Sequence, residues 1–183
     1  MASLQAQRTQ KMIQNAFVEL LQEESFREVT VTQIARRALI NRQTFYNYYL
    51  DKYDLTEKLT AEMLAIFDRL LTKRAQKMEE HESLTTFVLL GRANGIYDEL
   101  FRHRQLILKL FQIQYDERSL QSQLHRRVEQ TLNEVITPRP SEFTLDFCAG
   151  AFVNMVRHVL LMGRFPNEEE IKELKRVMMT VLS

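Results

Sequence analysis

One cysteine, no tryptophan, three prolines and four glycines are present in 183 residues. A lone thiol, Cys148, closes no internal disulfide, which excludes a stapled secreted scaffold. Its neighbours Phe147, Ala149, Ala151 and Phe152 are apolar, so a buried, reduced side chain is expected there. With so little glycine and proline, a turn-rich β-sandwich, a collagenous repeat and a glycine-rich nucleotide fold are all disfavoured. Charge of one sign is also lacking: 25 Lys and Arg against 24 Asp and Glu leave +1. Global charge therefore steers the chain onto neither nucleic acid nor anionic lipid, and any such binding must come from a local patch. Residues 3–10 are polar, so no secretory signal is expected. The apolar stretch near the C-terminus is interrupted by Asn154, Arg157 and His158, which argues against a bilayer span. A cytoplasmic protein without membrane contact is expected.

What the chain does have is helical periodicity. Met12, Ile13, Ala16, Phe17, Leu20 and Leu21 recur at three- and four-residue steps and predict an amphipathic helix over 5–22. Thr30 followed three residues later by Gln33 is a capping-box pattern that opens a short helix over 31–38. Asn41 can cap a second short helix over 42–49, and two helices joined so tightly form a helix-turn-helix. Asp51 then caps a long helix whose stripe Leu55, Leu59, Met63, Ile66 and Leu70 runs on to about residue 78. Further helices are predicted over 84–101, 105–114, 120–136, 143–162 and 168–182, and no stretch alternates as a strand. The fold class is all-α: a three-helix head, 1–52, joined through the long helix to a helical body, 53–183.

The head carries seven cations and five anions, a net of +2. Their placement matters more than the total. In a helix-turn-helix the second helix enters the major groove with its N-terminal side chains toward base edges. Here those are Arg42, Gln43 and Thr44, suited to guanine, adenine and the thymine methyl respectively. Phe45 should point into the head's core, while Tyr46, Tyr48 and Tyr49 offer hydroxyls to phosphate oxygens. Thr30 and Thr32 stand at a helix start where free amides attract phosphate, and Lys52 adds a cation at the first turn of the long helix. Arg36 and Arg37 serve equally well as phosphate contacts or as solvated surface charge.

The stretch from Thr9 to Leu55 carries a resemblance, above all in Thr30-Val31-Thr32-Gln33-Ile34-Ala35, Arg42-Gln43-Thr44-Phe45-Tyr46-Asn47-Tyr48-Tyr49 and Asp51-Lys52-Tyr53-Asp54-Leu55. It resembles the DNA-binding domain of TetR-family transcriptional regulators over about the first third of the chain. The resemblance implies an all-helical homodimer on a palindromic operator of double-stranded DNA, a repressor more often than an activator, working in the cytoplasm at the bacterial nucleoid. It further implies an effector bound in the body. Positions matching the family's DNA contacts are Thr32, Arg42, Gln43, Thr44, Tyr46, Tyr48 and Lys52. The family usually has glycine in the turn where this chain has Leu39, which predicts a slightly different turn. The motifs are also similar to a subgroup that includes regulators of dihydroxyacetone kinase operons, some of which use a protein coregulator.

For the body, reading a palindrome requires dimerisation, with the last two helices as the seam. Phe152, Val156, Val159, Leu160, Ile171, Leu174, Val177, Met178 and Val181 are the expected interface. A cavity for a small apolar or amphipathic effector is expected among Phe67, Tyr97, Phe101, Leu108, Phe111, Tyr115, Met155 and His158. Asp146, Gly150, Asn154 and His158 form a polar line on one edge of an apolar helix, which calls for hydrogen-bond partners. The four histidines show no ligand spacing with one another, and neither metal nor cofactor is expected. No phosphate-binding glycine loop, zinc-type His-Glu-x-x-His or nucleophile elbow occurs, so a non-enzyme is expected. The alternative function is a helical adaptor or coregulator whose body binds a protein partner.

Overall fold

The structure is a computed structural model that describes residues 4–79, 96–114 and 116–181. Among them there are nine helices and no strand: α1 Leu4–Glu23, α2 Val31–Arg37, α3 Arg42–Tyr46, α4 Lys52–Glu79, α5 Ile96–Arg102, α6 Arg104–Gln112, α7 Leu120–Val135, α8 Glu142–Met162 and α9 Glu168–Val181. Of the helix expected over 84–101, the part before 96 lies outside the described residues. The other expected helices are present with ends shifted by a few residues at most. Their caps are local and could be read from sequence: Thr30 and Gln33 make the reciprocal capping box, and Asn41 Oδ1 accepts from the Thr44 amide at 2.7 Å. Ser141 caps α8, and Gly163 ends it in the left-handed conformation at φ 70°. Asn167 and Glu170 then exchange side-chain-to-backbone bonds at 2.9 and 2.7 Å to open α9.

One apolar core runs through the molecule. Phe17 and Ile13 from α1, Ile34 from α2 and Phe45 from α3 are sealed against Leu55 and Leu59 at the start of α4. Each such side chain contributes about 1.5–3 kcal/mol by leaving water. Further along α4, Leu64, Phe67 and Leu71 continue the same core toward Leu110 of α6 and Leu124 of α7. α4 is therefore buried on more than one side, as a helix shared by head and body must be.

The body is built chiefly on α7, which packs along both α8 and α4. By length and composition α8 could cross a membrane, with a mean hydropathy of 1.4 over its most apolar window. Its stripe Leu145, Ala149, Phe152, Val153, Val156 and Leu160 instead belongs to the core. Cys148 falls off that stripe and is exposed, contrary to the buried thiol expected from its apolar neighbours. Residue spacing around the helix, not local hydropathy, decides which side chains turn inward.

Candidate nucleic-acid interface

α3 is held from both ends. Its start is Asn41, which also accepts the Thr44 hydroxyl at 2.9 Å. Beyond its end, Lys58 of α4 donates to the Tyr48 carbonyl at 3.0 Å, and Asp54 accepts the Leu50 amide at 2.9 Å. Lys58 and Asp54 also pair with each other at 2.9 Å. The Leu50 amide and Lys58 together keep the Asp54 carboxyl below its ordinary range against the opposing effect of burial. The roles of these two residues are not legible in the sequence, because their partners in the preceding turn become visible only once α4 is laid under α3.

Buried Phe45 anchors α3, and Tyr49 is buried beside it, with ring centroids 5.6 Å apart. Burial pushes the Tyr49 phenol up, and the expectation that Tyr49 faces phosphate is corrected: it is 3% exposed. Arg42, Gln43 and Tyr46 are exposed, and Thr44 and Tyr48 are half-buried. Arg42 and Tyr46 lie one turn apart, the guanidinium donating to the phenol oxygen at 3.2 Å and sitting 5.8 Å from the ring centre. The outer face of α3 thus carries an arginine, an amide and a phenol on a rod only five residues long.

Thr32 is exposed in the first turn of α2, while the Thr30 hydroxyl is committed to Gln33, donating at 2.7 Å and accepting the amide at 3.2 Å. Gln33 in turn donates to Glu24 at 2.8 Å, tying the start of α2 to the end of α1. Arg37 forks onto Glu23 at 2.7 and 2.9 Å, which raises the guanidinium pKa and lowers that of the carboxyl. It is a strut between α1 and α2. Arg36, like Arg37, is exposed.

Lys52 differs most from expectation. Its ammonium donates to the carbonyls of Phe26, Arg27 and Val29 at 2.8–2.9 Å and stands 4.8 Å over the Phe26 ring. An ammonium has three donors, and all three are used within the fold. The cation expected to face phosphate instead closes the loop before α2 onto α4. Leu39 is the second departure. It takes φ 56°, the left-handed conformation a glycine would favour, and keeps the turn tight rather than altering it.

In the body, the described residues contain a small apolar crevice of about 30 Å³ between α4, α5, α8 and the segment after α8. Of the expected effector residues, Phe101 and Met155 line it. Phe67 and Phe111 are sealed in the core, Leu108 packs against that core, and His158 is exposed, so none of these four reaches the crevice. Tyr115 and the Tyr97 side chain lie outside the described residues. Phe152, Val156, Val159 and Leu160, expected at a subunit seam, line the crevice instead. They and Ile171 are covered by their own chain. Leu174, Val177 and Met178 are exposed, and the Val181 side chain lies outside the described residues. Of the polar line on α8, Asp146 finds a partner in His125 at 3.1 Å, while Asn154 and His158 face outward.

Comparison with known proteins agrees with the head. Residues 13–59 match the family model for bacterial regulatory proteins, tetR family. The HTH-type dhaKLM operon transcriptional activator DhaS of Lactococcus lactis subsp. lactis (strain IL1403) is 43% identical over 47 residues, 26% of this chain and 25% of that protein. The match thus spans about a quarter of the length of that curated relative. A solved structure, the dihydroxyacetone kinase operon activator DhaS, aligns with 95% of this chain and 93% of its own at 21% identity, with a TM-score of 0.43. The exposed helix-turn-helix lies within the matched residues, so the similarity to bacterial regulatory proteins of the tetR family is carried by the head of this chain.

Proposed function

We propose that the chain is a sequence-specific DNA-binding transcriptional regulator that acts as a homodimer on a palindromic operator. The observation that carries this reading is the outer face of α3, where Arg42, Gln43 and Tyr46 are exposed on a helix anchored by Phe45 and fixed at both ends. A helix so held projects its first residues into a major groove, Arg42 toward guanine and Gln43 toward adenine. Thr44 and Tyr48 flank the groove contacts, and Thr32 with the α2 amides approaches phosphate. Residues 1–52 act as the reading head and 53–183 as the body. Such a regulator works where the chromosome is, in the cytoplasm.

The dimer seam falls on apolar side chains that the chain leaves exposed: Phe143, Phe147 and Leu161 on α8, and Leu174, Val177 and Met178 on α9. Two copies of this pair of helices form a four-helix interface of the isologous kind. For regulation, the crevice of about 30 Å³ is far below the roughly 300–1,000 Å³ of a pocket for a drug-sized ligand. A crevice of that size favours a protein coregulator, which needs only an outer surface, over a drug-sized molecule held in it. The relative's name describes an activator; for this chain the sign follows from where the operator lies relative to the promoter.

Selection of bound sequences from a random duplex pool, with sedimentation of the free protein, tests the proposal. Enrichment of an inverted repeat with half-sites about one turn, roughly 34–36 Å, apart and a dimer in solution are expected. Enrichment of no sequence at low salt overturns it and leaves the adaptor reading.

A further inference from the structure

The packing of α7 against α8 brings together three side chains that lie far apart in the sequence. His125 and Glu129 stand one turn apart on α7 and so share a face, and Asp146 reaches the same place from α8. The His125 Nε2 atom is 3.1 Å from an Asp146 carboxylate oxygen and 3.6 Å from one of Glu129. The donor atoms of all three lie within 4.8 Å of one another.

We propose that His125, Glu129 and Asp146 form a binding site for a divalent first-row transition-metal ion, with zinc as the reference case. Metal bonds of about 2.0–2.1 Å to imidazole nitrogen and about 2.0–2.2 Å to carboxylate oxygen place neighbouring ligands of a tetrahedral ion roughly 3.3–3.5 Å apart. The two distances from Nε2 bracket that value. Only Glu129 and Asp146 must close on each other. Asp146, whose side chain is 75% exposed, is free of packing that would resist the swing. One neutral imidazole and two carboxylates match the ion's charge of two, and the imidazole favours zinc, nickel or cobalt over magnesium or calcium. In forming the site, the Nε2 lone pair binds the ion while the ring hydrogen stays on Nδ1, any proton displaced from Nε2 passes to solvent, and water fills the remaining position.

The surroundings suit such a site. Gly150, one turn beyond Asp146, lies beside the ring, and even a Cβ there would stay 3.8 Å from His125 Cε1. The ion would pin α7 to α8. Two residues beyond His125, Arg127 Nη1 donates to both carboxylate oxygens of Asp68 of α4 at 2.6 Å, so the ion would also bear on the helix that begins under the head. The site stands independently of the DNA-binding reading.

The full chain, stripped with chelator, is titrated with Co²⁺ while its visible absorption is followed, and with Zn²⁺ by calorimetry. Saturation at one equivalent is expected, with the strong visible bands of low-coordinate cobalt. Asp146→Asn and His125→Ala should each weaken binding by at least about tenfold. His103→Ala and His158→Ala should not. The exposed position of Asp146 keeps its variant folded, as circular dichroism will verify. Absence of saturable binding by the native chain, or native affinity in folded Asp146→Asn or His125→Ala, overturns the site.

Discussion

The Lys52 ammonium donates to the Val29 carbonyl at 2.8 Å, joining the first residue of α4 to the residue before the α2 capping box. With the Phe26 and Arg27 carbonyls also satisfied, the charge sits where three backbone dipoles converge. Burial lowers the Lys52 pKa, and the carbonyls oppose this by favouring the charged form. Lys52→Met should therefore destabilise the chain by about 1.5–3 kcal/mol in urea unfolding. The slope of log binding constant against log salt for DNA should stay within experimental error, whereas losing a phosphate contact lowers it by about 1. A lower slope at native stability would show that Lys52 reaches phosphate.

Leu39 spends its left-handed backbone conformation on a side chain that is 87% exposed. Little packing offsets the roughly 1–2 kcal/mol that this conformation costs an L-residue. Glycine removes the cost but adds about 0.4–1 kcal/mol of freedom to the unfolded chain. Leu39→Gly should stabilise the head by about 0.5–1 kcal/mol, seen as a higher urea midpoint with unchanged slope. A lower midpoint would mean that the leucine makes contacts worth more than its strain.

Arg42 is the guanidinium on the outer face of α3 and already shares a bond with Tyr46. Arg42→Ala should cost about 1–3 kcal/mol in operator binding and relax preference at one base position in each half-site. Anisotropy with single-base operator variants measures both quantities. Uniform weakening at every position would move Arg42 from base reading to phosphate contact.

At the start of α9, Arg164 forks onto Glu170 at 2.7 and 2.8 Å while the Asn167 amide donates at 2.7 Å, and together they hold the Glu170 carboxyl down at about 2 against an ordinary 4.5. Because the folded value lies below the unfolded one, the contribution is fully present above pH 4.5 and disappears as pH falls through about 2. A carboxyl carbon titration by NMR should give a midpoint near 2 for Glu170. Arg164→Gln should raise it. A midpoint at the ordinary 4.5 in the native chain would contradict the clasp.

The helices and their starts were legible because the signals are local: Thr30 and Gln33 lie three residues apart and bond as their spacing predicts, and Asn41 caps α3. Phe45 as an inward anchor, with Arg42 and Gln43 outside, followed equally from helical spacing. The turn was harder, because a leucine in the left-handed region contradicts its own preference. Lys52 read as a surface cation because its three carbonyl partners lie more than twenty residues earlier.

The amino-acid order alone established an all-helical chain, the positions of its caps and the face that α3 turns outward, since these depend on neighbours within one or two helical turns. Which side of an apolar helix meets the core could not be read that way, because α8 is apolar over much of its circumference. Its packing along α7 set Val156 and Leu160 inside, left Cys148 and Phe147 outside, and brought Asp146 to His125. Contacts between distant segments arise from how whole helices fit together, and that fit is a property of the assembled core.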